Sequence, residues 1–123
     1  MEPGKGARWL KPVVLLTNRG VFSSANHFTM LMRALPHVTV MGDKTGGGSG
    51  MPLSNNLPNG WNVRFSACPI LDKEKRHTEF GIEPDVRTDI TTQDWDSGRD
   101  TMIEKAKELI FGFYSKKAQE QGL

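Results

Sequence analysis

Apolar residues fall into runs, stripes and alternations along the chain, and each spacing predicts a different element. Pro12-Val13-Val14-Leu15-Leu16 is a short continuous run rich in β-branched side chains, the pattern of a strand covered on both faces in a parallel sheet. Phe28, Leu31, Met32 and Leu35 follow at i, i+3, i+4 and i+7, one stripe of a helix. Val38-Thr39-Val40-Met41 returns as a second strand. Further on, Asn59-Gly60 is a strong turn signal, so Met51 to Leu57 and Trp61 to Cys68 predict a β-hairpin. Its second arm alternates Trp61, Val63, Phe65 and Ala67 with Asn62, Arg64 and Ser66, a half-buried strand. Gly81 and Pro84 punctuate a shaped loop that leads into a short strand near Val86. Last, Met102, Ile103, Ala106, Leu109, Ile110 and Phe113 form the apolar face of a helix opened by a Thr101-x-x-Glu104 capping box. These elements predict an α/β fold with a mixed sheet, a hairpin and a C-terminal helix. Residues 1–11 read as loop or linker.

Composition narrows the classes. A chain of 123 residues suffices for one compact domain. With 16 basic and 14 acidic residues it offers no electrostatic case for nucleic acid or an anionic membrane surface. No stretch approaches the roughly 20 apolar residues of a membrane span. The opening Met1-Glu2-Pro3-Gly4-Lys5-Gly6-Ala7 lacks the apolar core of a signal peptide and reads as a loop entered partway. The expectation is a chain cut from something longer. A single cysteine, Cys68, rules out an intrachain disulfide and reads as a small buried hydrophobe.

Two segments carry candidate chemistry. In Thr17-Asn18-Arg19-Gly20-Val21-Phe22-Ser23-Ser24-Ala25-Asn26, Ser23 stands where a strand hands over to a helix, at the carboxyl edge of the sheet. Free N–H groups at a helix start suit a developing oxyanion there. Serine is also a favoured N-cap, and Ser24 competes for that role, so position alone leaves both readings open. The G-x-S-x-G elbow is absent, because Gly20 lies three residues before Ser23. The second segment, Gly42-Asp43-Lys44-Thr45-Gly46-Gly47-Gly48-Ser49-Gly50, allows close backbone approach to a ligand. It fails as a phosphate loop, since Lys44 precedes the glycines and Pro52 follows without helical periodicity. A flexible turn beside a cleft fits it better.

Three patches in order carry a family likeness: strand then Asn-Arg-Gly-Val-Phe-Ser, strand then Gly-Asp-Lys-Thr-Gly-Gly-Gly, and Glu-Phe-Gly-Ile-Glu-Pro-Asp. Over about Pro12 to Asp89 the chain resembles the C-terminal processing, or tail-specific, peptidases, serine hydrolases with a crotonase-like (ClpP-like) ββα core. The resemblance places the nucleophile on Ser23 and an oxyanion contact on the Ser24 amide. Gly48 stands where one branch carries a lysine base, so a Ser–Lys dyad is not expected. The tricorn-like branch instead uses a histidine supported by a second serine and a glutamate. That glutamate matches Glu79, ahead of Gly81-Ile82-Glu83-Pro84-Asp85. The histidine, the second serine and an Asp-x-Arg-x-Asn-x-Gly-Gly oxyanion element would lie upstream, in the rest of the parent chain.

What the resemblance implies is a serine endopeptidase acting on a peptide or protein substrate laid beside Gly46, Gly47 and Gly48, without metal or other cofactor. The isolated chain would be nearly inactive. The resemblance also implies a parent exported to a periplasm or outside the cell. Of the histidines present, His27 shares a helical face with Ser23 and reads as a surface or interface residue. His37 and His77 read as loop residues. A non-catalytic peptide-binding or assembly module is the alternative. Loss of the strands preceding Pro12 would expose a sheet edge and favour self-association.

Overall fold

A computed structural model describes residues 5–120 of the chain. The elements run β1 (Val13–Thr17), α1 (Ser24–Arg33), β2 (Val38–Gly42), β3 (Met51–Asn56), β4 (Asn62–Cys68), β5 (Val86–Arg87), α2 (Thr92–Asp96) and α3 (Thr101–Glu120). Residues 5–11 contain no helix or strand, and residues 1–4 lie outside the described residues.

The strands form two separate sheets rather than one mixed sheet. β1, β2 and β5 make a parallel sheet in that spatial order, with Val13 opposite Val38 and Thr17 opposite Gly42. The β3–β4 hairpin is antiparallel and, among the described residues, pairs only with itself. Its register slips between Met51 and Pro52, where proline has no N–H to give a ladder.

Val40 and Met41 point to opposite faces of β2 and both are buried, so this central strand is covered on each side. α1 and α3 both pack on it. β1 is a sheet edge, and Val13 to Leu16 are only half-buried, less covered than their apolar run predicts. Asp85 fastens the sheet to its surroundings. Its Oδ2 accepts from the Val40 N–H at 2.9 Å, and its Oδ1 pairs with Arg33 of α1 at 2.9 Å.

Three expectations about packing need correction. In α1 the buried residues are Asn26 and Thr29, whereas Phe28, Leu31 and Leu35 are exposed. The helix turns a polar seam inward: Asn26 satisfies loop hydrogen bonds, while Thr29 returns its hydroxyl to the Ala25 carbonyl. In the hairpin, Trp61, Val63 and Phe65 are exposed, since nothing among the described residues covers that face. Cys68 is exposed as well.

At α3 the cap is Asp100, whose Oδ1 accepts from the Ile103 N–H at 2.9 Å, while Glu104 pairs with Arg99. A reciprocal capping box does occur, but in α2, between Thr91 and Asp94. The hydrogen bond from Thr91 holds the Asp94 carboxyl below its ordinary value.

Candidate active site

Ser23 occupies the turn between β1 and α1 with φ 56° and ψ −117°, a combination non-glycine residues rarely adopt. Such conformations cost about 1–3 kcal/mol and persist only where surroundings enforce them. Here the Ser23 N–H donates to the Gly47 carbonyl at 2.8 Å, and its carbonyl accepts from the His27 N–H at 3.0 Å. Its hydroxyl makes no capping bond, so the plain N-cap reading is set aside. Among the described residues nothing accepts from the Ser24 N–H. Ser23 is thus an exposed hydroxyl at a helix mouth with a free amide next to it.

The glycine arm lies against this turn. The Gly46 N–H donates to Val21, and the Gly48 N–H donates to the Glu79 carbonyl at 2.9 Å. Those bonds leave the Gly46 and Gly48 carbonyls without a donor among the described residues. Gly47 and Gly48 both have positive φ, 77° and 72°. A Cβ on Gly47 would run into the Glu79 carbonyl, and one on Gly48 into the Phe22 ring. Any longer side chain at position 48, lysine included, is shut out while Phe22 stays where it is.

A buried polar knot holds the arm to α1. Asn26 Nδ2 donates to Ser49 Oγ and to the Thr78 carbonyl, each at 2.9 Å. Thr45 Oγ1 donates to Asn26 Oδ1 at 2.6 Å and accepts from the Ile82 N–H at 2.7 Å. Ser49 Oγ and Thr78 Oγ1 lie 2.6 Å apart. Asn26, Thr45, Ser49 and Thr78 are all buried. Reading the sequence did not single out this set. Short polar residues flanking the glycines and the helix start were the available signal.

Ser23 and Glu79 therefore sit on either side of the same glycine tip. Ser23, Ser24 and His27 line a cavity of about 260 Å³ with Gly48, Ser49 and Ile70. Glu79, half-buried, lines an adjoining cavity of about 220 Å³ with Cys68 and His77, and the two cavities share Ser49 and Ile70. His37 lies outside both. Beyond the arm, Asp43 draws together Arg19 and Arg87 at 2.9 and 3.1 Å. The hydrogen bond from Arg19 holds the Asp43 carboxyl below its usual range. Lys44 pairs with Glu83 at 3.2 Å, a surface contact.

A strand-to-helix serine beside a glycine arm is the kind of site that hydrolases build. The chain belongs to peptidase family S41, whose sequence profile matches residues 2–88. A candidate peptidase from Parabacteroides merdae, known from a crystal structure, shares 59% identity at a TM-score of 0.84, over 89% of this chain and 35% of that one. Mature CPAF, solved with lactacystin, superposes at a TM-score of 0.72 with 19% identity, over 88% of this chain and 21% of that one. The tricorn protease matches at 0.68 with 22% identity, over 82% of this chain and 10% of its own. At these lower identities the likeness is one of fold. A Chlamydia trachomatis protein is 23% identical over 115 residues, 89% of this chain and 19% of its own length. The chain thus spans little more than a third of its solved relative from Parabacteroides merdae and a fifth of the chlamydial one.

Proposed function

We propose that this chain is the nucleophile-bearing part of a serine endopeptidase of the tricorn-like branch, with a crotonase-like core. The observation that carries the reading is Ser23 itself, held in a strained turn with an uncommitted hydroxyl and an unpaired amide beside it. Evolution tolerates such strain chiefly where geometry serves chemistry.

Ser23 Oγ attacks the scissile carbonyl carbon while a histidine from the rest of the polypeptide takes its proton. The Ser24 N–H receives the resulting oxyanion. Glu79, across the glycine tip, orients that imidazole and stabilises its charged form. The tetrahedral intermediate then collapses, the histidine returns its proton to the departing amine, and water releases the acyl group by the reverse sequence. An extended substrate lies along Gly46–Gly48, whose free carbonyls accept its N–H groups. Main-chain pairing of that kind gives affinity tolerant of sequence.

In the longest natural polypeptide that carries this sequence, a fluorophosphonate probe labels Ser23. Ser23→Ala abolishes labelling and lowers kcat by roughly 10⁴-fold or more. Full activity in that variant would refute the assignment.

A further inference from the structure

We infer that His27 is a specificity-determining residue which selects an acidic side chain in the substrate next to the scissile bond. The inference rests on Ser23 as nucleophile and goes beyond it by naming what the neighbouring cavity takes.

His27 lies one helical turn after Ser23, and its backbone N–H is bonded to the Ser23 carbonyl at 3.0 Å. Ser23 stands just ahead of α1 and His27 in its first turn. Both line the same cavity of about 260 Å³, large enough for one amino-acid side chain and some water. The rest of the wall is uncharged: hydroxyls from Ser24 and Ser49, glycine backbone, and the apolar flanks of Pro52 and Ile70. His27 is the one ionisable group among the described residues that line it. Cys68, His77 and Glu79 border only the adjoining cavity, beyond Ser49 and Ile70. The imidazole is half-buried and makes no side-chain hydrogen bond or ion pair within the described residues.

A substrate residue entering this cavity therefore meets hydroxyls and one imidazole. A neutral imidazole can donate one hydrogen bond to either a carboxylate or an amide oxygen. A protonated one adds a charge-assisted bond that only a carboxylate fully uses.

The test uses the longest natural polypeptide and peptide sets carrying Asp or Asn at each position flanking the cleaved bond. The Asp:Asn ratio of kcat/KM is read at each position. At one flanking position the ratio reaches about tenfold, as one charge-assisted bond would give. His27→Gln flattens the ratio near unity, and His27→Lys keeps it high. A ratio that is the same in wild type and both variants overturns the inference, with Ser23→Ala still inactive and the nucleophile reading intact. An active, unlabelled Ser23→Ala protein overturns both, and the two failures are told apart by that variant alone.

Discussion

Asn26 shows how much of this site depends on one side chain that does no chemistry. Its amide is fully buried and ties α1 to two loops, giving hydrogen bonds to Ser49 and Thr78 and taking one from Thr45. Asn26→Ala removes three buried hydrogen bonds at once, although Ser49, Thr45 and the Thr78 carbonyl each keep a second partner. A buried hydrogen bond is worth about 0.5–1.5 kcal/mol net, so losing three is expected to cost about 3 kcal/mol. Urea unfolding measures it, and Asn26→Leu gives no recovery, since the missing quantity is hydrogen bonding rather than volume. The position of Ser23 was legible in the sequence because a β-branched run, a serine and a helical stripe leave few other readings. The role of Asn26 was not. Hydrophobic periodicity identifies an amphipathic helix but assumes that its apolar side is the covered one. In α1 the exposed Phe28 and Leu31 and the buried Asn26 and Thr29 reverse that assumption. The aspartate of Pro84-Asp85 was likewise seen only as part of a motif. Its work is to stand in for a strand partner at Val40 and to hold Arg33.

Among the elements, the turn-flanked hairpin and the long terminal helix were the easiest to foresee. Asn59-Gly60 sets the hairpin's register, and the 3.6-residue stripe sets the helix. The start of α3 was misplaced by one residue, because Thr101-x-x-Glu104 satisfies the sequence rule while Asp100 holds the geometry. Asp100 Oδ1 takes the Ile103 N–H, and Glu104 is drawn off by Arg99 at 2.6 Å. Two neighbouring residues of good capping chemistry cannot be ranked from spacing alone. Replacing Asp100 with alanine is therefore expected to lower stability by about 1 kcal/mol. Thr101→Ala, by contrast, leaves the cap intact. Thermal melts of the two variants, read by far-UV circular dichroism, decide between them. α2, with its five residues and its Thr91–Asp94 box, was missed because the segment is too short to show a period.

At the scale of the whole molecule, charge and exposed surface each make a measurable demand. Asp43 stands at the carboxyl end of β2 and ties Arg19, ahead of Ser23, to Arg87 of β5. Its carboxyl titrates lower folded than unfolded, chiefly through the Arg19 hydrogen bond. Its contribution is therefore complete above the unfolded value, near 3.9, and is lost as pH falls through the folded one. Comparing wild type with Asp43→Asn at low salt, urea midpoints converge on acidification below about pH 4 and separate above it. The second demand concerns surface. Among the described residues β1 has a neighbour on one side only, and an unpaired strand edge is a template for another chain. On the hairpin, Leu53 pairs with Phe65, and Val63, Leu57 and Trp61 lie on the same face, all exposed. Contiguous apolar area of this kind is rarely left bare. The 123-residue chain on its own is expected to associate with rising concentration in sedimentation velocity runs. Introducing Trp61→Lys with Phe65→Lys puts charge on the hairpin face without touching the parallel sheet. A shift to monomer in that variant assigns the association to the hairpin, persistence assigns it to the β1 edge, and a wild-type monomer at 100 μM (about the range where exposed edges become a hazard) refutes the expectation.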